Sequence, residues 1–293
     1  MTIAACYVSP EGLVLGADST ATYFTPSGEA HFYNHAQKLF QIGEGPTSLA
    51  AVTWGMGGLE VSSYRRMFAR LGDAFKTAPP ADVKDAADRW VQMFWAEYQA
   101  APDYIYYQGL AAKTAYQAGD PNDRSELEER QFKNLGHNLV VGFCLGGQTE
   151  PDRSPTAFVM LFDPAAPCPV PFQMASGYFN FWGAPNVVQR LFLGWDDGIS
   201  GDVLNSPHWT GNQQDLADII DKHRLLPPTA LIPIRDAVDF VHFGIFSTIK
   251  ALKFSNFSQT CGGPIEIAVI TADRPFRWVR HKEWNSAIID GAP

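Results

Sequence analysis

The sequence has few cysteines, no excess of basic residues and no long apolar run. Its four cysteines, Cys6, Cys144, Cys168 and Cys261, are scattered, without the close pairs that metal and redox sites use. They are therefore predicted to be reduced thiols of a cytosolic protein. The 22 basic residues are outnumbered by 31 acidic ones, which gives a net charge of −9. This charge argues against binding to phosphate backbones and predicts no nucleic-acid partner.

The absence of long apolar runs excludes a membrane-spanning helix, which needs roughly 18 apolar residues. The first residues also lack the basic region and apolar run of an export signal. We therefore expect a soluble, cytoplasmic protein with no membrane partner. The chain has 293 residues, of which 46% are hydrophobic, so it can bury a sizeable core. We predict one domain, 1–293, with insertions near 99–136 and 178–232.

The first residues of the chain predict a β-hairpin. Ile3–Val8 and Leu13–Ala17 are short apolar runs, and Pro10, Glu11 and Gly12 between them favour a turn. Thr2 then lies at the start of the first strand, preceded only by Met1. An initiator methionine is routinely removed before a residue as small as threonine, which would leave an amine and a hydroxyl on one residue.

An N-terminal threonine can act as a nucleophile because its own amine serves as the base. An α-amine titrates at about 7.7–8.0 in peptides, close to working pH. Asp18, at the end of the second strand, and Lys38, before the next apolar strand, are candidates for setting the field around this amine. A nearby lysine would favour the neutral amine by charge repulsion.

These residues resemble the opening of proteasome-type β subunits, including the bacterial HslV and Anbu proteins. The resemblance rests on Thr2, the segment GLVLGADS that ends at Asp18, and Lys38. In that family a nucleophilic Thr, an Asp sixteen residues later and a Lys on the next strand form the site. The separation of Thr2 and Asp18 is the same sixteen residues.

Three later segments extend the resemblance. Trp54–Gly58 is similar to the family's Gly-rich turn, so the resemblance implies that the N–H of Gly57 contributes to an oxyanion hole. Ala175–Gly177 is similar to the family's Ser-Gly before a helix, which implies that Ser176 orients the amine. The segment Cys261–Ile267 is similar to the entry to a late strand. Taken without the family, Gly57 and Ser176 fit ordinary tight turns equally simply.

Patterning predicts the remaining elements. Helical spacing of apolar residues indicates helices over Leu59–Phe75, from Asp82 to Tyr98 and over Ile234–Leu252. Short apolar runs predict strands over Leu39–Ile42, Ser48–Thr53, Asn138–Leu145, Ala157–Phe162, Val170–Ala175, Ile265–Thr271 and Phe276–Val279. Two helices after four strands indicate a helical layer over a sheet.

The two insertions carry the weaker candidates. The charged run 120–133 is typical of a solvated face, with a capping or inter-subunit role as the alternative. Gly194–Gly211 is predicted to be an aromatic loop that lines a site. Its Asp196, Asp197 and Asp202 lack the final glutamate of a calcium loop. We predict no metal site, since His31, His35, His208 and His223 have no ligand partners at suitable spacing.

Two positions before the late strand depart from the family. Its members place an Asp, and a Ser three residues later, before the Gly-Gly that leads into the late strand. Those places are occupied here by Ser258 and Cys261. The hydrogen bonds that hold the backbone of Thr2 must therefore differ from the family's pattern.

The resemblance implies an α+β fold, a four-layer αββα sandwich with two antiparallel sheets between helical layers. It also implies a threonine-type N-terminal-nucleophile peptidase or amidohydrolase, with Thr2 as nucleophile and Lys38, held by Asp18, lowering the pKa of the amine. No cofactor is needed. The partners expected by analogy are a peptide or amide substrate, further copies in a ring or stack, and an ATPase that delivers substrate.

Two other functions remain open from the sequence. The chain could be a non-catalytic ring subunit that keeps the fold without the reaction, which the replaced Asp would permit. It could instead be a small-molecule amidase of the same superfamily, with the aromatic loop shaping the pocket.

Overall fold

The structure is a computed structural model of the single chain. It describes residues 2–24, 29–43, 47–60, 62–225, 232–256 and 259–282. The sequence favours a turn over Gly43–Pro46, between the predicted strands Leu39–Ile42 and Ser48–Thr53; apart from Gly43 this turn lies outside the described residues, as do Met1 and Ser258.

The strands in this part of the chain all pair antiparallel. They are β1 Ala4–Ser9, β2 Gly12–Ala17, β3 Ala21–Phe24, β4 Ala30–Tyr33, β5 Leu39–Ile42, β6 Ser48–Gly55, β7 Val141–Gln148, β8 Thr156–Phe162, β9 Phe172–Gln173, β10 Phe179–Trp182, β11 Glu266–Thr271 and β12 Arg274–Arg280.

The helices come in two blocks of four, one between β6 and β7 and one between β10 and β11. They are α1 Tyr64–Thr77, α2 Val83–Gln99, α3 Pro102–Ala111, α4 Glu126–Asn138, α5 Asn186–Leu193, α6 Asp197–Leu204, α7 Gln213–Asp221 and α8 Ile234–Lys253. The three predicted helices are confirmed as α1, α2 and α8. Side chains of Ser63 and Asp82 accept from the first-turn N–H groups of α1 and α2 and so define their starts.

Two five-stranded sheets form the centre of the molecule. The first has the order β10-β1-β2-β11-β12, and the second has the order β5-β6-β7-β8-β9. The predicted hairpin is confirmed as β1 and β2, and all residues of both strands are buried. Burial on both faces explains why these strands are almost continuously apolar rather than alternating.

Three apolar clusters occupy successive positions across the two sheets. One joins α1 and α2 to β5–β8 and contains Trp90, Phe94 and Phe143. The next joins residues of both sheets, including Leu15 and Val52. The third joins β1, β2 and β11 to α8. The site described below lies where the ends of β1 and β2 meet the chain entering β5.

The insertions contain more regular structure than the sequence predicted. The stretch 99–136 holds α3 and most of α4, and the loop predicted over Gly194–Gly211 contains α6. The Asp196 side chain caps α6 by accepting a hydrogen bond from the Ile199 N–H, and it also forms an ion pair with Arg190. The polar, Gly-rich composition around Asp196 favoured a loop, whereas this residue is the N-cap of a helix.

Several predicted strands need correction. Strand β7 begins at Val141 rather than Asn138, because α4 continues to Asn138. Only Phe172–Gln173 of the predicted strand Val170–Ala175 pairs, and both residues are exposed. The sequence did not predict β10 or the small sheet of β3 and β4. Among the described residues, no helix is both long and apolar enough to cross a membrane.

Candidate functional site

Thr2 lies at the buried end of β1, two residues before the strand begins. Its exposed fraction is 4%. The turn after β10 packs directly on its backbone: a Cβ at Gly183 would lie 2.0 Å from the Thr2 carbonyl oxygen. Gly183 also has a φ of +84°, which a glycine adopts readily. Position 183 therefore requires glycine for two reasons: its backbone angle, and the Thr2 carbonyl that fills the place of a Cβ.

Asp18 is the hydrogen-bonding centre of the site. It is fully buried, and its Oδ1 accepts from the Ile3 N–H at 3.1 Å and from Lys38 Nζ at 2.6 Å. Its Oδ2 accepts from the N–H groups of Thr20 at 3.2 Å and Gly262 at 2.9 Å. Four donors on one buried carboxylate stabilise its charged form. The Asp18 N–H in turn donates to the Ile3 carbonyl at 3.1 Å.

Lys38 reaches this carboxylate from the second sheet. It directly precedes β5, where its carbonyl accepts from the Thr53 N–H at 2.9 Å, and its exposed fraction is 6%. Because Oδ1 of Asp18 binds both Lys38 Nζ and the Ile3 N–H, the ammonium group lies next to the backbone of Thr2. The structure therefore brings Thr2, Asp18 and Lys38 together.

The segment before β11 supplies hydrogen bonds through its backbone. Gly262 donates to Asp18, and its carbonyl accepts from the Ser19 N–H at 2.9 Å. A Cβ at Gly262 would lie 3.0 Å from Thr20 Oγ1, so the close approach favours glycine. Cys261 beside it is fully buried, and burial followed by the charge of Asp18 raises the pKa of its thiol to about 12. That thiol is therefore protonated at neutral pH.

The structure does not bring Ser176 to Thr2. Strands β1 and β10 run antiparallel, with Ala4 opposite Trp182 and Tyr7 opposite Phe179. The Gly177 N–H donates to the Val8 carbonyl at 2.7 Å, so Ser176 lies at the far end of β1 and is exposed. The prediction for Ser176 fails because the chain adds β10 after this turn. Gly183, at the other end of β10, is the residue that contacts Thr2.

Gly57 lies outside the sheet. It follows the end of β6 by two residues and is exposed. Within the described ranges, no hydrogen bond joins it to Thr2, Asp18 or Lys38. The nearest atom to a Cβ at Gly57 would be the hydroxyl of Tyr23, at 4.0 Å.

Gly55 is the last residue of β6 and the first glycine of this turn. The Thr53 N–H donates toward Lys38, and the Met56 N–H donates to the Val140 carbonyl at 2.9 Å. Successive N–H groups of a strand point to opposite sides, so the Gly55 N–H lies on the Lys38 side of β6. Its φ of +86° and a Cβ position 2.4 Å from the Val140 carbonyl also favour glycine.

Sequence reasoning missed a second lysine, Lys282, which is partly buried. Lys282 Nζ donates to Glu266 Oε2 and the Ala36 carbonyl, both at 2.9 Å, and to Ser19 Oγ at 3.3 Å. It thereby joins the residue after Asp18 to the chain before Lys38. Lys282 follows the predicted strand Phe276–Val279, in a polar segment whose sequence gives no sign of its pairing with a strand glutamate.

Glu266 is the fully buried partner of this lysine. It lies opposite Ala17 in the pairing of β2 with β11, and Ala17 directly precedes Asp18 in the chain. His281 Nδ1 lies 2.6 Å from Glu266 Oε1, within ion-pair distance. The angle between the two groups does not meet that of a hydrogen bond. Burial lowers the pKa of Lys282 from its ordinary value; Glu266 raises it, whereas the charges of Lys38 and Arg65 lower it further.

The weaker metal candidates do not converge. In the part of the chain that the structure describes, no three His, Cys, Asp or Glu side chains form a metal-binding group. His31, His208 and His223 are exposed, and His35 borders the pocket described below. The arrangement at Thr2 contains no residue set suited to a cofactor.

Gly183 is expected to be the most sensitive glycine of the site. Replacing it with alanine should destabilise the protein, because the new methyl group would overlap the Thr2 carbonyl. Gly194 is a matched control: its φ is +79°, but nothing lies within 4 Å of its Cβ position. Gly194→Ala should cost about 1–2 kcal/mol from backbone strain alone, and Gly183→Ala about 1–3 kcal/mol more. Urea unfolding measures both; equal losses would contradict the packing argument.

Comparison with known proteins gives matches among solved structures alone. No family model and no curated protein matches the chain. The structure of Anbu, described as an ancestral beta-subunit, from Yersinia bercovieri superposes with a TM-score of 0.53 over 96% of this chain and 88% of that one, at 11% identity. The chain is similar in fold to Anbu.

A second Anbu structure also matches over most of its length. The Gly-1 mutant of Anbu from Hyphomicrobium sp. strain MC1 covers 99% of this chain and 91% of its own, with 11% identity and a TM-score of 0.49. The proteasome-type resemblance predicted from the sequence is thus confirmed as a resemblance to Anbu in fold. The chemistry is argued below from this chain's own residues.

Proposed function

We propose that this protein is a threonine-type N-terminal-nucleophile hydrolase that cleaves peptide or other amide bonds after removal of Met1. The carrying observation is the shared oxygen of Asp18, which binds Lys38 Nζ and the Ile3 N–H. This oxygen holds the ammonium group of Lys38 beside Thr2, the residue that would bear both the hydroxyl and the amine. The intact ion pair favours this function over a subunit that has lost its reaction.

The reaction we propose has two steps. In the first, Thr2 Oγ1 attacks the amide carbonyl while the α-amine accepts the hydroxyl proton, directly or through a water. The proton passes to the leaving amine, the C–N bond breaks and an ester to Thr2 forms. In the second, a water attacks the ester with the amine again as base, which releases the acid and restores the hydroxyl.

Charge stabilisation in this proposal comes from the surrounding backbone and Lys38. The carbonyl oxygen becomes negative in both tetrahedral intermediates, and a preorganised N–H beside it is the usual stabilising group. We assign this role to Gly55 in place of Gly57, since the Gly55 N–H lies on the Lys38 side of β6. Lys38 disfavours a second positive charge on the neighbouring amine, which keeps that amine available as a base.

We further propose the four-layer αββα arrangement in a single domain, 1–293. It is supported by the order of the three apolar clusters: helices α1 and α2 on one sheet, the two sheets on each other, and α8 on the other sheet. The insertions near 99–136 and 178–232 contribute helices α3–α7.

The similarity to Anbu also supports a proposal about assembly and location. The Yersinia protein is described as a beta-subunit, so we propose that copies of this chain associate into a ring or open stack in the cytoplasm, with an ATPase as a possible source of substrate. The four free cysteines suit a reducing compartment. Exposed aromatic side chains on β3 and β4, such as Tyr23 and Tyr33, are available for contacts between copies.

The mass of the intact protein tests the proposal. We expect the purified chain to lack Met1 and to gain one adduct when treated with a β-lactone, which acylates an activated hydroxyl. Thr2→Ala should gain none. A chain that retains Met1 and forms no adduct would refute the mechanism and favour a non-catalytic ring subunit. Preference for simple acylated amines over peptides would instead identify a small-molecule amidase.

A further inference from the structure

A pocket of about 400 Å³ lies apart from Thr2, between helix α1, strand β5 and the chain at the end of β12. Its volume falls in the range of small-molecule sites. Neither Thr2 nor Asp18 nor Lys38 lines it. The pocket therefore adjoins the proposed catalytic centre through Gln37 and Lys282 without containing any of its three reacting or charged groups.

The rim of the pocket is positively charged. Arg65, His281 and Lys282 line it, and none of its described lining residues is acidic. This composition is unusual for a chain with a net charge of −9. Glu266 faces both His281 and Lys282, so the anionic occupant that the arrangement predicts is a counter-ion for Arg65.

The three positive residues differ in availability. Lys282 already donates to three acceptors, and His281 faces Glu266 through Nδ1, which leaves its Nε2 for another partner. Arg65 differs from these two, which both face Glu266, because no acidic side chain among the described residues forms an ion pair with it. Its guanidinium is the group of the rim that we assign to an anion, since planar guanidinium groups bind carboxylates through two parallel hydrogen bonds.

The walls of the pocket are aromatic. Phe40 and Phe68 line it with their rings 4.9 Å apart, but both side chains are buried, so the half-buried Trp278 offers most of the accessible aromatic surface. Trp278 stacks on His281 with ring centroids 4.0 Å apart. Such surfaces bind flat apolar groups by stacking and by removing apolar area from water.

We propose that this pocket binds a small carboxylate that carries an aromatic group. Arg65 holds the carboxylate, with His281 as a second donor, and the group beyond it packs among Phe40, Phe68 and Trp278. Two sources share this chemistry: a free aromatic acid, and the C-terminal carboxylate of a peptide that ends in an aromatic residue.

Calorimetric titration of the full-length protein tests the proposal with four probes. Phenylacetate should bind at least about tenfold more tightly than phenylacetamide, which has the same ring without the charge. Acetate, which has the charge without the ring, should also bind more weakly. N-acetyl-L-phenylalanine distinguishes the sources: tighter binding than phenylacetate indicates a peptide end, and equal or weaker binding indicates a free acid.

A neighbouring arginine provides the matched control. Arg65→Gln should weaken phenylacetate binding by about tenfold, whereas Arg66→Gln, on the same exposed turn of α1 but outside the pocket, should leave it unchanged. Thr2→Ala should also bind normally, which separates this proposal from the proposed hydrolase. The proposal is overturned if the acid and the amide bind equally, if neither binds, or if the two arginine variants behave alike.

Discussion

Replacing Thr2 with alanine is expected to abolish amide hydrolysis and to leave the fold intact. The substitution removes the attacking oxygen, and the loss of a nucleophile lowers turnover by roughly a million-fold in comparable hydrolases. Thr2 is buried at a strand end, so the lost hydroxyl and methyl should cost only about 1 kcal/mol of stability. Hydrolysis of a panel of fluorogenic peptides measures turnover, and urea unfolding measures stability.

Two matched forms of the protein make this result specific. Thr2→Ser keeps a hydroxyl and an amine on one residue and should retain activity and β-lactone labelling. A form whose N-terminus is blocked by an uncleaved fusion keeps the hydroxyl but lacks the free amine, and it should be inactive until the fusion is removed. Turnover by Thr2→Ala equal to that of the unaltered protein would refute Thr2 as the nucleophile.

Asp18→Asn is expected to cost about 3–5 kcal/mol in the free energy of unfolding and to eliminate turnover. Two donors face each carboxylate oxygen, so the asparagine NH₂ would face donors in either orientation. The ammonium of Lys38, with a side chain only 8% exposed, would also lose its counter-ion. Removing one member of a buried pair is therefore costly. Urea unfolding and the peptide assay measure the two losses.

The same substitution in an exposed pair is the control. Asp88 Oδ2 and Lys84 Nζ are 2.7 Å apart, but their side chains are 38% and 53% exposed, and Asp88→Asn should cost less than about 1 kcal/mol.

Lys38→Met should also eliminate turnover but should destabilise less than Asp18→Asn. Asp18 would keep its three backbone donors. An active Asp18→Asn enzyme, or a loss of stability equal to that of Asp88→Asn, would contradict the role assigned to Asp18.

The proximity of Thr2 and Asp18 could be predicted because both residues lie at the open end of one hairpin. A tight hairpin with Ala4 opposite Ala17 necessarily brings the residues before β1 next to those after β2. The pairing with Lys38 was predicted through the family resemblance, since the lysine arrives from the other sheet. Its 2.6 Å contact with Asp18 depends on how the two sheets pack.

The prediction for Ser176 shows where local patterns fail. A Ser-Gly turn before an apolar segment can lie at either end of a neighbouring strand, and the sequence does not indicate at which end of β1 this turn lies. Strand β10 was overlooked because Phe179–Trp182 is short and aromatic, and its insertion moves the contact with Thr2 from the serine turn to Gly183. Helix α4, within the charged run 120–133, was also not predicted, although Ser125 and Glu128 form a capping box at its start.

The sequence by itself determined the hairpin, the three long amphipathic helices, most central strands and the nucleophile candidate with its acidic partner. These features depend on residue spacing along one or two neighbouring elements. Only the tertiary structure decided that Gly183 packs on Thr2 and that Lys282 and Glu266 lie beside the site. Each of these contacts joins segments far apart in the chain, where strand order and sheet packing, rather than local periodicity, set the distance.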